Sequence, residues 1–90
     1  MMGAVTAVGR CVDELRYAAF QGRSGIHRLN GEGCADHIGA EVASGGFEQY
    51  GPVDRSTAFA IHAAEEAISG AELAEEQLRE AATFIGSSKG

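Results

Sequence analysis

The stretch DRSTAFAIHAAEEAISGAELAEEQLREAATFI, residues 54–85, decides how the chain is read. Pro52 precedes it, Asp54 or Ser56 can cap a helix start, and Gly86 offers a stop. Alanine, glutamate and leucine are strong helix formers, so the stretch predicts one long helix over 54–85. At 100° per residue, Thr57, Ala60, Ile61, Ala64, Ala67, Ile68, Ala71, Ala74, Leu78, Ala82 and Ile85 share one broad stripe. Phe59, Ala63, Gly70, Leu73 and Phe84 form a thinner stripe opposite. A helix on a core needs one apolar stripe, so two stripes predict two packing partners. Gly70 costs about 1 kcal/mol of helix propensity, and close contact on the second stripe is its expected reason.

The first part of the chain holds one helical frame as well. Val5/Val8, Val12/Leu15, Ala19/Gly22 and Ile26/Leu29 are successive a/d pairs, predicting a helix over about 4–29 that runs through Gly22 and Gly25. Tyr17 and Phe20 lie off that seam. Asn30-Gly31-Glu32-Gly33 then breaks the pattern. Cys34, Ala35, Ile38 and Val42 fall on one side of a short helix over about 34–44. Residues 45–53 are a loop by composition, and its rings, Phe47 and Tyr50, are expected to plug the open end of the helix pair. The tail 87–90 is expected to be disordered.

These elements predict an all-α fold: a long antiparallel helical hairpin with a short connecting helix, forming one domain of 90 residues. Val12, Leu15, Ile61, Ile68 and Leu78 would hold the seam within the chain. A lone hairpin leaves the second surface uncovered. Tyr17, Phe20, Phe59, Gly70, Leu73 and Phe84 are therefore the expected interface to a homodimer or a related small helical partner, in a four-helix-type bundle.

Charge narrows the partners. The formal net charge of −6 argues against nucleic acid, whose phosphates demand a basic patch. Residues 1–30 carry four arginines against Asp13 and Glu14, whereas residues 54–86 carry seven acids against Arg55 and Arg79. No apolar run is long enough to span a bilayer, and no signal-peptide core follows the first methionines. Ala7 stands where a myristoylation signal needs Ser or Thr. A cytoplasmic chain is expected, with Cys11 and Cys34 either reduced or bridged.

Candidate chemistry is sparse. Cys34-Ala-Asp-His37 has the spacing of half a zinc site, with Cys11, His27 or Glu41 as possible completing ligands. The bland alternative is a small buried thiol on an apolar stripe. His62-Ala-Ala-Glu65 reverses the Glu-x-x-His order of carboxylate-bridged iron bundles, so His62 and Glu66 are more simply a surface i,i+4 pair. Glu75 falls on the alanine stripe, at its rim or facing Arg10 or Arg16. No nucleophile triad, phosphate loop or HExxH pattern occurs. No cofactor is implied, and a non-enzymatic role is expected.

A small acidic chain with two long helices joined by Gly45-Gly46-Phe47, and no signal peptide, resembles the WXG100/ESAT-6 group. The Ala/Gly/Arg/Glu bias is also common in high-GC actinobacteria. The resemblance implies a helical-hairpin dimer that leaves the cell by a specialised secretion system without a cleaved signal peptide. The chain has no Trp for the group's Trp-x-Gly turn. Its only Tyr-x-x-x-acid spacing, Tyr50 to Asp54, precedes the second helix rather than following it. Three functional readings follow: a secretion-associated interaction protein, a metal- or ligand-binding bundle using Cys34, His37 and the Glu65–Glu76 acids, and an acidic regulator of the antitoxin type that binds a basic partner.

Overall fold

A computed structural model describes residues 2–29, 37–43 and 45–87. It holds α1 (Val12–Phe20), β1 (Ile26–Arg28), β2 (Ile38–Ala40), a 3-10 turn at Glu48–Tyr50, α2 (Arg55–Ala71) and α3 (Glu75–Arg79). The fold is mixed, with short helices and a two-stranded antiparallel sheet, and this overturns the all-α hairpin and its four-helix-type bundle. No helix among the described residues is long and apolar enough to cross a membrane.

The predicted first helix fails at both ends for local reasons. Residues 2–11 are not helical. Within them Thr6 and Gly9 exchange backbone hydrogen bonds across a tight turn (2.7 and 3.4 Å). The α1 helix starts only at Val12, where the Cys11 sulfur accepts from the Glu14 N–H at 3.5 Å. It ends in a Schellman pair: Arg23 N–H donates to the Ala18 carbonyl at 2.9 Å and Gly22 N–H to Ala19 at 3.2 Å. Gly22 adopts φ +67°, the left-handed geometry that favours glycine. The heptad frame across Gly22 is therefore interrupted, and Ile26 becomes the first residue of a strand.

That strand pairs with part of the segment expected to form the short 34–44 helix. Ile26 faces Ala40, His27 faces Gly39 and Arg28 faces Ile38 across the ladder. Leu29 N–H extends it to the His37 carbonyl at 3.0 Å. Isoleucine suits a pleated surface better than a helix. Residues 34–36 and 44 of the expected helix, Cys34 included, lie outside the described residues.

The expected 54–85 helix does start at Asp54, whose carboxylate accepts from Thr57 N–H at 2.8 Å. It stops early, at Ala71. Glu72 takes φ +53° and ψ +40°, a left-handed stop at a non-glycine position. The chain restarts at α3, where Ala74 N–H donates to the Gln77 side chain at 2.9 Å. Residues 81–87 carry no regular structure, leaving Phe84 and Ile85 exposed.

What organises the fold is the inward face of α2. Phe59, His62, Ala63 and Glu66 are half-buried along it, whereas Ile61, Ala64 and Ile68 point outward. The expected intrachain seam through Ile61 and Ile68 is thus reversed. The N-terminal segment lies against that inward face so closely that a β-carbon on Gly3 would overlap the Ala63 carbonyl. Gly3→Val is expected to lift this segment and cost about 2 kcal/mol, the penalty of overpacking a tight contact, measured as a lowered urea midpoint.

Candidate functional site

Two polar side chains on α2, one turn apart, tie three segments together. Glu66 accepts from the Ala4 N–H at 3.0 Å and, through both carboxylate oxygens, from the Val12 N–H at 3.2 and 3.0 Å. Val12 is the first residue of α1, so the carboxylate meets an otherwise unsatisfied donor at the positive end of a helix. His62 reaches the neighbouring loops. Its Nε2 lies 3.1 Å from the Arg10 carbonyl, a contact that requires Nε2–H as donor. Its Nδ1 lies 2.9 Å from the Tyr50 hydroxyl, which is also 3.2 Å from Glu65 Oε2. The expected surface pair of His62 with Glu66 is replaced by these two separate anchors.

An aromatic cluster covers the histidine. Phe47 packs edge-to-face on Phe59 (centroids 5.0 Å apart) and on His62 (5.3 Å), with Tyr50 at 6.4 Å. The Arg10 guanidinium sits over the Phe47 ring at 4.6 Å and donates to the Ala43 carbonyl at 3.0 Å. Gly46 permits this in two ways. Its φ is +82°, and a β-carbon there would overlap the arginine. Phe47 and Tyr50 therefore pack on the side of one helix rather than plugging the end of a helix pair. Beside them, Phe47, Val53, Ala58 and Phe59 line a shallow hollow of about 290 Å³, with Glu48 and Arg55 also in its wall. Arg55 is held there by the Val42 carbonyl at 2.9 Å and by the Phe59 ring.

Chemically the Tyr50–His62–Glu65 chain resembles a proton relay, but its electrostatics favour a structural role. Burial, followed by the hydrogen bond and charge of Glu65, raises the Tyr50 pKa above its ordinary 10.0. A nucleophilic or basic tyrosine needs the opposite shift. A raised folded-state value means that the protonated hydroxyl stabilises the fold. That stabilisation is complete below the unfolded value of 10.0 and is lost as pH rises through the higher folded value. Alkaline unfolding followed by circular dichroism should show this loss above pH 10 in the parent chain. Tyr50→Phe should flatten it.

The expected site residues are scattered. Tyr17 and Phe20 are exposed on α1, Phe84 is exposed in the irregular stretch after α3, and Gly70 is exposed near the end of α2. Phe59 is half-buried against Phe47, and Leu73 is half-buried beyond Glu72. His37 is exposed beside β2, while its suggested partner Cys34 lies outside the described residues. Among the described residues no three His, Cys, Asp or Glu side chains converge as a metal site would require. Glu75 pairs with Arg79 at 3.0 Å rather than with Arg10 or Arg16. Asp13 takes Arg16 at 3.4 Å.

Sequence reasoning missed the anchoring role of Glu66 and the link from His62 to Arg10 and Tyr50. One signal was available: a histidine and a glutamate four apart on the face that also carries Phe59 and Ala63. Comparison of the chain with protein-family models, with curated proteins and with solved structures finds no match.

Proposed function

We propose that this is a non-enzymatic interaction protein that completes its hydrophobic core on a protein partner. The observation that carries the reading is what the fold leaves outside. Among the described residues only Ala18 and Ala58 are buried, while Phe20 is 84% exposed and Phe84 93%. The accessible surface is 7176 Å², against about 5,000 Å² for a compact chain of this mass. The radius of gyration is 15.4 Å, against about 12 Å. The excess of roughly 2,000 Å² exceeds the ~800 Å² that one partner contributes to a standard interface.

The secretion-associated version drew on a helical hairpin that the fold replaces. The interaction reading does not depend on it. The partner is either a second copy or a different small protein. Hydrogen exchange at several protein concentrations, read beside sedimentation, tests the proposal. Amides of α1 and α2 should be poorly protected in the monomer and gain protection on assembly. A monomer that unfolds cooperatively, with strong protection and a concentration-independent midpoint, would overturn it.

A further inference from the structure

We infer that the outward face of α2 docks a cationic amphipathic helix of a different protein. This names the partner chemistry of the reading above and rests on it. The face is built from Ile61, Ala64 and Ile68, which recur at helical spacing on the side of α2 turned away from Phe59 and His62. Ala64 between the two isoleucines lets a second helix approach closely. An i, i+3/i+4, i+7 apolar stripe of this kind pairs naturally with a helix that carries the same pattern.

Charge decides what that helix carries. Glu72, one turn past Ile68 where α2 ends, and Glu76 and Glu80 in the segment that follows are exposed, and their carboxylates have no hydrogen-bond or ion-pair partner among the described residues. The cation of that segment, Arg79, is already paired with Glu75. No basic residue stands in the last turn of α2, so the negative end of its dipole is uncompensated within the helix. Lysines or arginines on the incoming helix would answer both.

A second copy of the chain answers neither. Pairing α2 with itself, antiparallel about the midpoint of Ile61 and Ile68 or in parallel, sets Glu65 against its own copy near the centre of the contact. It also joins two chains that each carry a formal charge of −6. Like charges across an interface oppose association, whereas opposite charges steer it and fix its register.

The test uses two synthetic amidated peptides that keep the same i, i+3, i+4 leucine pattern, one filled with lysine and the other with glutamate. Calorimetry and sedimentation of the full chain should show 1:1 binding of the leucine–lysine peptide only, weakening as salt is raised. Ile61→Ser/Ile68→Ser, which keeps every charge, should lose at least roughly tenfold in affinity. Glu72→Gln/Glu76→Gln/Glu80→Gln should lose roughly tenfold and flatten the salt dependence. Circular dichroism of each variant alone checks that helicity is retained.

Binding unchanged by the double serine variant would mean mere charge attraction and would overturn the inference. Equal binding of the glutamate peptide, or of neither peptide, would also overturn it. So would a self-associated chain that Ile68→Ser dissociates, but that outcome leaves the partner-completed core standing. A cooperative, concentration-independent monomer would remove the core reading itself.

Discussion

Glu66→Ala is expected to be the most damaging single substitution, lowering stability by about 3 kcal/mol and the thermal midpoint by about 15 °C. The carboxylate satisfies two backbone donors that have no other acceptor close by, the Ala4 and Val12 N–H groups. Hydrogen bonds to a charged group contribute about 1.5–3 kcal/mol each, and a donor stranded out of water costs more than the bond it lost. The Val12 contact also opposes the positive end of the α1 dipole. Glu66→Gln can keep its oxygen at the position that accepts from both Ala4 and Val12, but it loses the charge and turns an amide N–H₂ toward the Val12 donor, so it should lose about half as much. Glu66→Asp falls a methylene short and should resemble alanine.

The loss has a local readout as well. Freed from α2, the segment before α1 should become accessible, and trypsin should cut after Arg10 faster in Glu66→Ala than in the parent. Urea unfolding at a fixed protein concentration measures the stability change, because assembly would otherwise shift the midpoint. An alanine variant that matches the parent in midpoint and in cleavage rate at Arg10 would show that this carboxylate does not hold the N-terminal segment.

Where the sequence is legible, it is through local chemistry. Asp54 caps a helix because its short carboxylate reaches the Thr57 N–H, and that rule needs no tertiary knowledge. The stop at Gly22 was equally local: a glycine near the end of a helical run supplies the left-handed residue of a Schellman ending. Giving the heptad frame precedence over that glycine is what turned α1 and β1 into one expected helix.

Other features were written in no local signal. Glutamate seldom adopts the left-handed conformation, so nothing at Glu72 announces the end of α2. Alanine stripes are also poor guides to facing. Each alanine buries little, and the polar pair His62 and Glu66 found backbone partners in the N-terminal segment and α1. Those bonds turned Phe59 inward and left Ile61 and Ile68 outside. The candidate docking face was thus visible as a stripe, but its direction came from long-range hydrogen bonds that join residues more than fifty positions apart.

Phe47→Ala is the second large effect, expected at about 2.5 kcal/mol. The ring is only half-buried, so its transfer from water contributes less than the 3–5 kcal/mol lost when a core phenylalanine is truncated. What raises the figure is the company it keeps. Edge-to-face packing on Phe59 adds about 0.5–1.5 kcal/mol beyond area, and the Arg10 guanidinium above the ring adds about 0.5–1 kcal/mol. Phe47→Leu keeps much of the apolar area while removing the ring, and should lose about 1 kcal/mol.

Double-mutant cycles separate these contributions. Pairing Phe47→Leu with Arg10→Gln should show a positive coupling, because the cation loses its ring as the ring loses its cation. Pairing Phe47→Leu with Ile68→Ser should be additive, since Ile68 lies on the outward face of α2. Additivity in both cycles would mean that the cation–ring stack does not hold Arg10, with Phe47 acting only as apolar cover. Coupling confined to the first cycle would establish that the loop is fastened to the N-terminal segment through the cation–ring stack. It would also show that this fastening is independent of the face left open for a partner.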